Sequence, residues 1–210
     1  MHVPTHILSG WCLGNVLPLT PRERLGCMIA ATAADLDGLG IVFGQEAYWE
    51  YHHKLGHNVF FAVVVASVLT IFLSGARRRA AAFALYLTMA HLHLVLDYLG
   101  SGPGWAIWYL WPANDVQIVN PHAWPFFSWQ NIVAAYGLLA WAVWIAWRER
   151  RTPLELLMPR LDRKLIGMLR REPRAEAAAA PPDAAAWLRR ALREAHPGHD
   201  WIDRITESDP

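Results

Sequence analysis

Long apolar runs broken by short polar clusters organise the first 150 residues. Residues 6–19 are mostly apolar with small residues interleaved and end at Pro18 and Pro21, which reads as a short first helix. Residues 26–43 form a second, Ala-rich run interrupted at Asp35, Asp37 and Gly38, where acids and a glycine predict a helix end or a turn. A polar and aromatic stretch at 45–58 precedes two longer runs, 59–75 and 80–99, each able to cross a bilayer, the first only at the short end of the range. Arg77, Arg78 and Arg79 separate them, and a Gly-rich break at 100–104 closes the second. Residues 132–147 form the last run, stopped by Arg148, Arg150 and Arg151. The expected architecture is all-α: an integral membrane helical bundle of about five membrane-embedded helices over 1–150, followed by a cytoplasmic helical tail over 151–210.

The tail differs in character. Residues 161–171 read as a basic amphipathic helix, 177–182 as an Ala/Pro linker and 184–205 as a further short helix. Arg160, Arg163, Lys164, Arg170 and Arg171 are expected to lie against anionic lipid. Between the membrane runs, residues 105–130 are dense in Trp, Pro and Phe, as in a segment lying at a membrane–water interface. Composition agrees: 54% of the chain is hydrophobic and 12 residues are Trp, and a formal charge of only +1 leaves no basic excess for nucleic acid, so none is expected as a partner. Cys12 and Cys27 have no metal-knuckle spacing and read as small buried hydrophobes. No Lys or Arg precedes Arg22, so the N-terminus does not read as a cleaved signal peptide.

The basic clusters carry orientation, because Lys and Arg near span ends favour the cytoplasm. With Arg22/Arg24, Arg77–Arg79 and Arg148–Arg151 all cytoplasmic, the N-terminus and the connections holding Asp35, Asp37, His52, His53, His57, Asp97 and His122 fall on the external face. Nearly every ligand-type side chain then gathers on one side of the membrane.

His93 and Asp97 are four apart and share a helix face, where they can grip one metal ion or one proton; a mutually hydrogen-bonded pair holding the bundle together is the structural alternative. His91 is about 200° away in helical rotation and points elsewhere. An ionisable pair inside an apolar helix of a membrane protein is a functional hypothesis by default. Histidines and carboxylates without thiolates suit zinc first, with manganese or iron as alternatives. Such an ion activates water near neutral pH, and paired ions clamp the oxygens of a phosphoester displacement, so hydrolysis is the economical chemistry.

Several motifs in this order resemble a bacterial family. They are Thr5–His6; Asp35 and Asp37 in a short acidic turn; His52 and His57 running into an apolar helix; and His93 and Asp97 followed by a Gly-rich turn and Leu110–Trp111–Pro112. The chain resembles inner-membrane proteins described as predicted metal-dependent hydrolases, one of them under LexA control, over about residues 1–147. In that family the middle motif reads His-Arg-Gly-x-Thr-His-Ser, so His53, Gly56 and Asn58 stand here for Arg, Thr and Ser. The resemblance implies a bacterial inner-membrane location and a metal.

The expected ligands are His6, Asp37, His52, His57, His93 and Asp97, with His2, Asp35, His53, His91 and His122 as supporting or solvated groups. His196 and His199 are expected to be solvated. The expected activity is hydrolysis of an ester or phosphoester, a lipid's among them, at the external leaflet, with membrane lipids as the neighbours; general base and protein partners are left open. The alternatives are a di-iron hydroxylase or desaturase, whose boxed histidines face the cytoplasm, and a non-catalytic metal- or lipid-binding protein or proton-coupled transporter.

Overall fold

A computed structural model of the chain describes residues 1–170. The chain divides into two compact units, Met1–Leu169 and Arg170–Pro210, and the description concerns the first. The linker and final helix expected over 177–205, with Arg171, His196 and His199, lie outside the described residues. Among the described residues every regular element is helical and no strand forms; Ile107 and Ile118 make an isolated antiparallel bridge.

Helix α1, Val3–Gly14, starts with Pro4 in its first turn, where the missing N–H costs nothing. Helix α2, Pro21–Ala30, starts from a capping box in which the Thr20 hydroxyl accepts from the Glu23 N–H while the Glu23 carboxylate accepts from the Thr20 N–H. The two pack closely because residue 10 is glycine: a Cβ there would stand 2.5 Å from the Cys27 carbonyl oxygen. The second apolar run breaks where its acids begin. After α2 the chain bends by 52° into a 3-10 helix, Ala33–Phe43. Helix α3, Gln45–Tyr51, is short and leads into the loop 52–58.

Helix α4, Val59–Leu73, is capped by the Asn58 side chain, which accepts from the Phe61 N–H at 2.8 Å. Helix α5, Arg79–Gly100, follows a single 3-10 turn, Ala76–Arg78. Helix α6, Trp129–Glu149, is capped by Ser128, and helix α7, Pro159–Arg170, closes the described chain. Two helices, Ala76–Gly100 and Trp129–Glu149, are long and apolar enough to cross a membrane, or three if the bent pair Pro21–Ala30 and Ala33–Phe43 is one span; α4 is apolar but shorter.

Small side chains set the interior. Cys27, Ala30, Ala31, Ala66, Leu69, Ala82, Tyr86 and Met89 join α2, α4 and α5, and Trp11, Cys12, Ala142 and Ile145 join α1 to α6. Alanines at these seams allow backbones to approach, as membrane helices do in the absence of a water-driven core. The outside carries the bulk instead: Val64, Val68, Ile71 and Phe72 of α4 and Trp129, Val133, Tyr136 and Trp147 of α6 are all exposed. An exterior of large apolar side chains is the pattern expected in lipid.

The helices share two polar ends. At one, Arg151 donates to Asn15 at the end of α1, Arg24 of α2 grips Glu155, and Arg78 at the start of α5 reaches Glu23. At the other, Asn131 of α6 donates to the Gly100 carbonyl at the end of α5, beside His6 of α1 and the loop 52–58. Helix α5, 22 residues long, holds the ends apart by about 33 Å.

Candidate metal centre

Two residues of α5, one turn apart, form the floor. The Asp97 Oδ2 atom lies 3.2 Å from His93 Nε2, both side chains buried. The His93 ring is fixed from behind, since its Nδ1–H donates to the Ala31 carbonyl at 2.8 Å, an acceptor left free where α2 ends. Its Nε2 lone pair therefore points at the cluster.

Helix α1 and the loop 52–58 complete the group. His6 Nε2 lies 3.1 Å from Asp97 Oδ1, and the His6 ring stacks on His93 at 3.8 Å. His57 presents Nε2 to Asp97 Oδ2 at 3.0 Å and to His93 Nε2 at 3.1 Å. Its other nitrogen, Nδ1, bonds Asp37 Oδ2 at 2.9 Å. His53 Nε2 is 3.6 Å from Asp97 Oδ2, and Asp35 Oδ1 is 3.6 Å from His93 Nε2. The Met1 ammonium contacts Asp97 Oδ1 and bonds the Ser101 hydroxyl at 2.7 Å.

Asp37 lies one imidazole further out. Its Oδ1 pairs with His52 Nδ1 at 2.7 Å, and its Oδ2 accepts both the His57 ring and the Gly56 N–H, the latter at 3.0 Å. This explains glycine at 56, where a Cβ would stand 2.1 Å from the Ala34 carbonyl oxygen. His53 adopts a left-handed backbone, φ 68°, uncommon outside glycine, and this places it on the cluster side of the loop with its ring stacked on His57 at 4.2 Å.

The ligand-type atoms converge tightly. The Nε2 atoms of His57 and His93 face one another across 3.1 Å with a carboxylate oxygen 3.0 and 3.2 Å away, an arrangement that either a proton on His57 or a metal ion between the nitrogens relieves of lone-pair repulsion. Burial alone would lower the His57 imidazolium, but the carboxylates of Asp37 and Asp97, one on each ring nitrogen, raise it to about 9. His53, which lacks such bonds, is pushed well below the ordinary histidine range by burial and by the charge on His57. A tetrahedral ion with ligands at about 2.0–2.1 Å has ligand–ligand edges of about 3.3 Å, close to the separations observed.

Three groups of side chains have ligand atoms within 4.8 Å of one another: His6, Asp35, His93 and Asp97; His53, His57 and Asp97; and Asp37, His52 and His57. His6 Nδ1, His53 Nδ1 and Asp35 Oδ2 are buried without a hydrogen-bond partner in the protein. This nitrogen and oxygen donor set fits zinc, manganese or iron. A cavity of about 200 Å³, lined by Asp35, Tyr48, His52, His53, Asp97 and Trp105 among others, opens onto it.

All six expected ligands are thus brought into these groups, together with Asp35 and His53. The other three are elsewhere. His91 bonds the Leu87 carbonyl and the Tyr109 hydroxyl, His2 packs on Phe126, and His122 is exposed. Tyr48, which stacks on His52 at 4.7 Å and lines the cavity, was not among the expected residues; its spacing of four from His52 on α3 is the signal that marks it.

A family model described as YdjM inner membrane protein matches residues 1–161. No curated protein and no solved structure matches the chain.

Proposed function

The chain belongs to the YdjM inner membrane protein family, and from that premise we propose that it is a membrane-embedded, metal-dependent hydrolase of an ester or phosphoester, with its site at the external leaflet. The observation that carries the reading is the meeting of His57 Nε2, His93 Nε2 and Asp97 Oδ2 within 3.0–3.2 Å, in a buried pocket open to a cavity. What supports the orientation is the sorting of Arg24, Arg78 and Arg151 to the opposite end, together with the preference of such clusters for the cytoplasm. In this reading α1, α2 with the 3-10 helix, α4, α5 and α6 are all membrane-embedded, making five, and α7 is cytoplasmic.

His57, His93 and Asp97 would hold a divalent ion, zinc first, with His6, His53 and Asp35 as the further ligands in reach. Such an ion supplies Lewis acidity toward water and toward an ester or phosphoryl oxygen. The chain's own residues do the rest. Ala31 and Asp37 fix the rings of His93 and His57 with Nε2 inward, the arrangement by which carboxylates and carbonyls orient ligating histidines. His52 lines the cavity and pairs with Asp37 Oδ1, holding that carboxylate so that its other oxygen faces His57. Tyr48 and Trp105 wall the cavity with aromatic surface against the apolar part of a substrate.

Detergent-purified protein offered chromogenic esters, phosphomonoesters and phosphodiesters tests this. Turnover of one class, abolished by a chelator and restored by zinc, is the expected result. Stoichiometric metal without turnover on any class would leave a metal-binding protein and end the hydrolase reading.

A further inference from the structure

At the arginine-rich end, far from the metal centre, a second surface combines exposed cations with exposed apolar side chains. A groove of about 480 Å³ runs between the start of α2, the end of α4 and the segment before α7, lined by Arg22, Phe72, Leu73, Ser74 and Leu156 among others. Arg22 is exposed, and Phe72 and Leu156 are 74% and 40% exposed. From Leu156 the apolar surface continues along Leu157 and Met158 into α7, where Leu161, Leu165 and Met168 recur at helical spacing. Arg160, Arg163 and Lys164 are exposed on the remaining arc.

Three acids beside this face are turned inward, while exposed Glu149 at the end of α6 pairs with Arg148 and Arg151. Asp162 is buried and accepts from the Thr152 N–H at 2.6 Å, which with buried Ile166 fixes which face of α7 points in. Glu155 is held by both Nε and Nη2 of Arg24, at 2.6 and 2.7 Å, and Glu23 is buried in its capping box and paired with Arg78. The outward face of α7 is left basic and apolar, and it joins the lipid-facing flank of α4 at Phe72.

We propose that this face is a binding site for anionic phospholipid of the cytoplasmic leaflet: the exposed arginines and Lys164 take headgroup phosphates, and the stripe from Phe72 through Leu156, Leu161 and Met168 takes acyl chain. A charged helix of this kind lies in the interface plane with its apolar side among the acyl chains. Continuity with α4 selects lipid over a soluble protein, and the single sign of charge selects anionic over zwitterionic headgroups. The site is independent of the metal centre and of any hydrolysis.

The test uses the full chain in nanodiscs. Cys12 and Cys27 are fully buried, so Met168→Cys, at a position 67% exposed, takes a fluorophore selectively. The label is expected to be quenched by nitroxide-bearing lipids in discs containing phosphatidylglycerol and far less in pure phosphatidylcholine. Replacing Arg160, Arg163 and Lys164 with Gln, all on the surface and outside the packed seams, should weaken the anionic dependence by roughly fivefold per cation. Three results would overturn the proposal: a label exposed to water in both lipids, quenching that is equal in both, or a label buried in both with a doubled particle mass, which would make the face a contact with a second copy.

Discussion

Asp97 is the residue on which the cluster depends, because its two oxygens face His6, His57, His93 and the Met1 ammonium together. Replacing it with Ala should remove bound metal and also destabilise the chelator-treated protein by about 3–5 kcal/mol, since a buried His57 imidazolium is left without one of its partners; thermal unfolding in detergent measures this. Asp37 acts differently, through His57 and His52. Asp37→Asn should lower metal affinity by about 10–100-fold rather than abolish it, in a competition titration with a chelating dye. The pH dependence follows from His57. Its folded value of about 9 stands above the ordinary 6.5, so without metal its charged form stabilises the fold fully below about pH 6.5, and that stabilisation is lost as pH rises through 9. A metal ion must displace this proton, so its apparent affinity should climb over the same interval. The pairing of His93 with Asp97 was legible in the sequence because helical geometry fixes residues four apart. The positions of His52 and His53 were not: a left-handed φ at His53 turns adjacent histidines to different partners, and nothing local in the residue types dictates it.

The loop 52–58 shows how an element is built to present a ligand. Gly56 lets the loop press on the Ala34 carbonyl and gives its N–H to Asp37, while Asn58 accepts from the Phe61 N–H to start α4 immediately after His57. In this chain Asn58 therefore does what a helix-capping serine can do, which gives a physical reason for the departure from the Ser of the resembling family's motif. Asn58→Ser should retain stability and metal, whereas Asn58→Ala should cost about 1 kcal/mol in thermal unfolding. Gly56→Ala should disorder the site itself, read as lost metal in a chain that still purifies with its helix content intact. The apolar runs at 80–99 and 132–147 predicted α5 and α6 closely, because lipid-facing helices leave an unbroken compositional trace. The acid-and-glycine interruption also marked where α2 gives way to the 3-10 helix, but the opposed roles of Asp35 and Asp37 come from how that bend sets two residues toward different neighbours.

At the scale of the whole molecule, among the described residues apolar side chains cover the outside of α4 and α6, small apolar side chains fill the helix seams, and histidines with carboxylates are buried together at one end. Arginines and the ligand cluster lie at opposite ends of α5, a separation the sequence already suggested from the charge rule alone. A cysteine placed at exposed Asp115, near the cluster end, should react with an impermeant maleimide added to intact cells, and one at exposed Arg77 should react only after lysis. The reverse pattern would invert the orientation. The most direct measurement of the central claim is elemental analysis of the detergent-purified chain. At least one zinc, manganese or iron per chain, lost in both Asp97→Ala and His57→Ala while the helix content is kept, is the predicted result; wild-type protein that stays metal-free after incubation with each ion would contradict it.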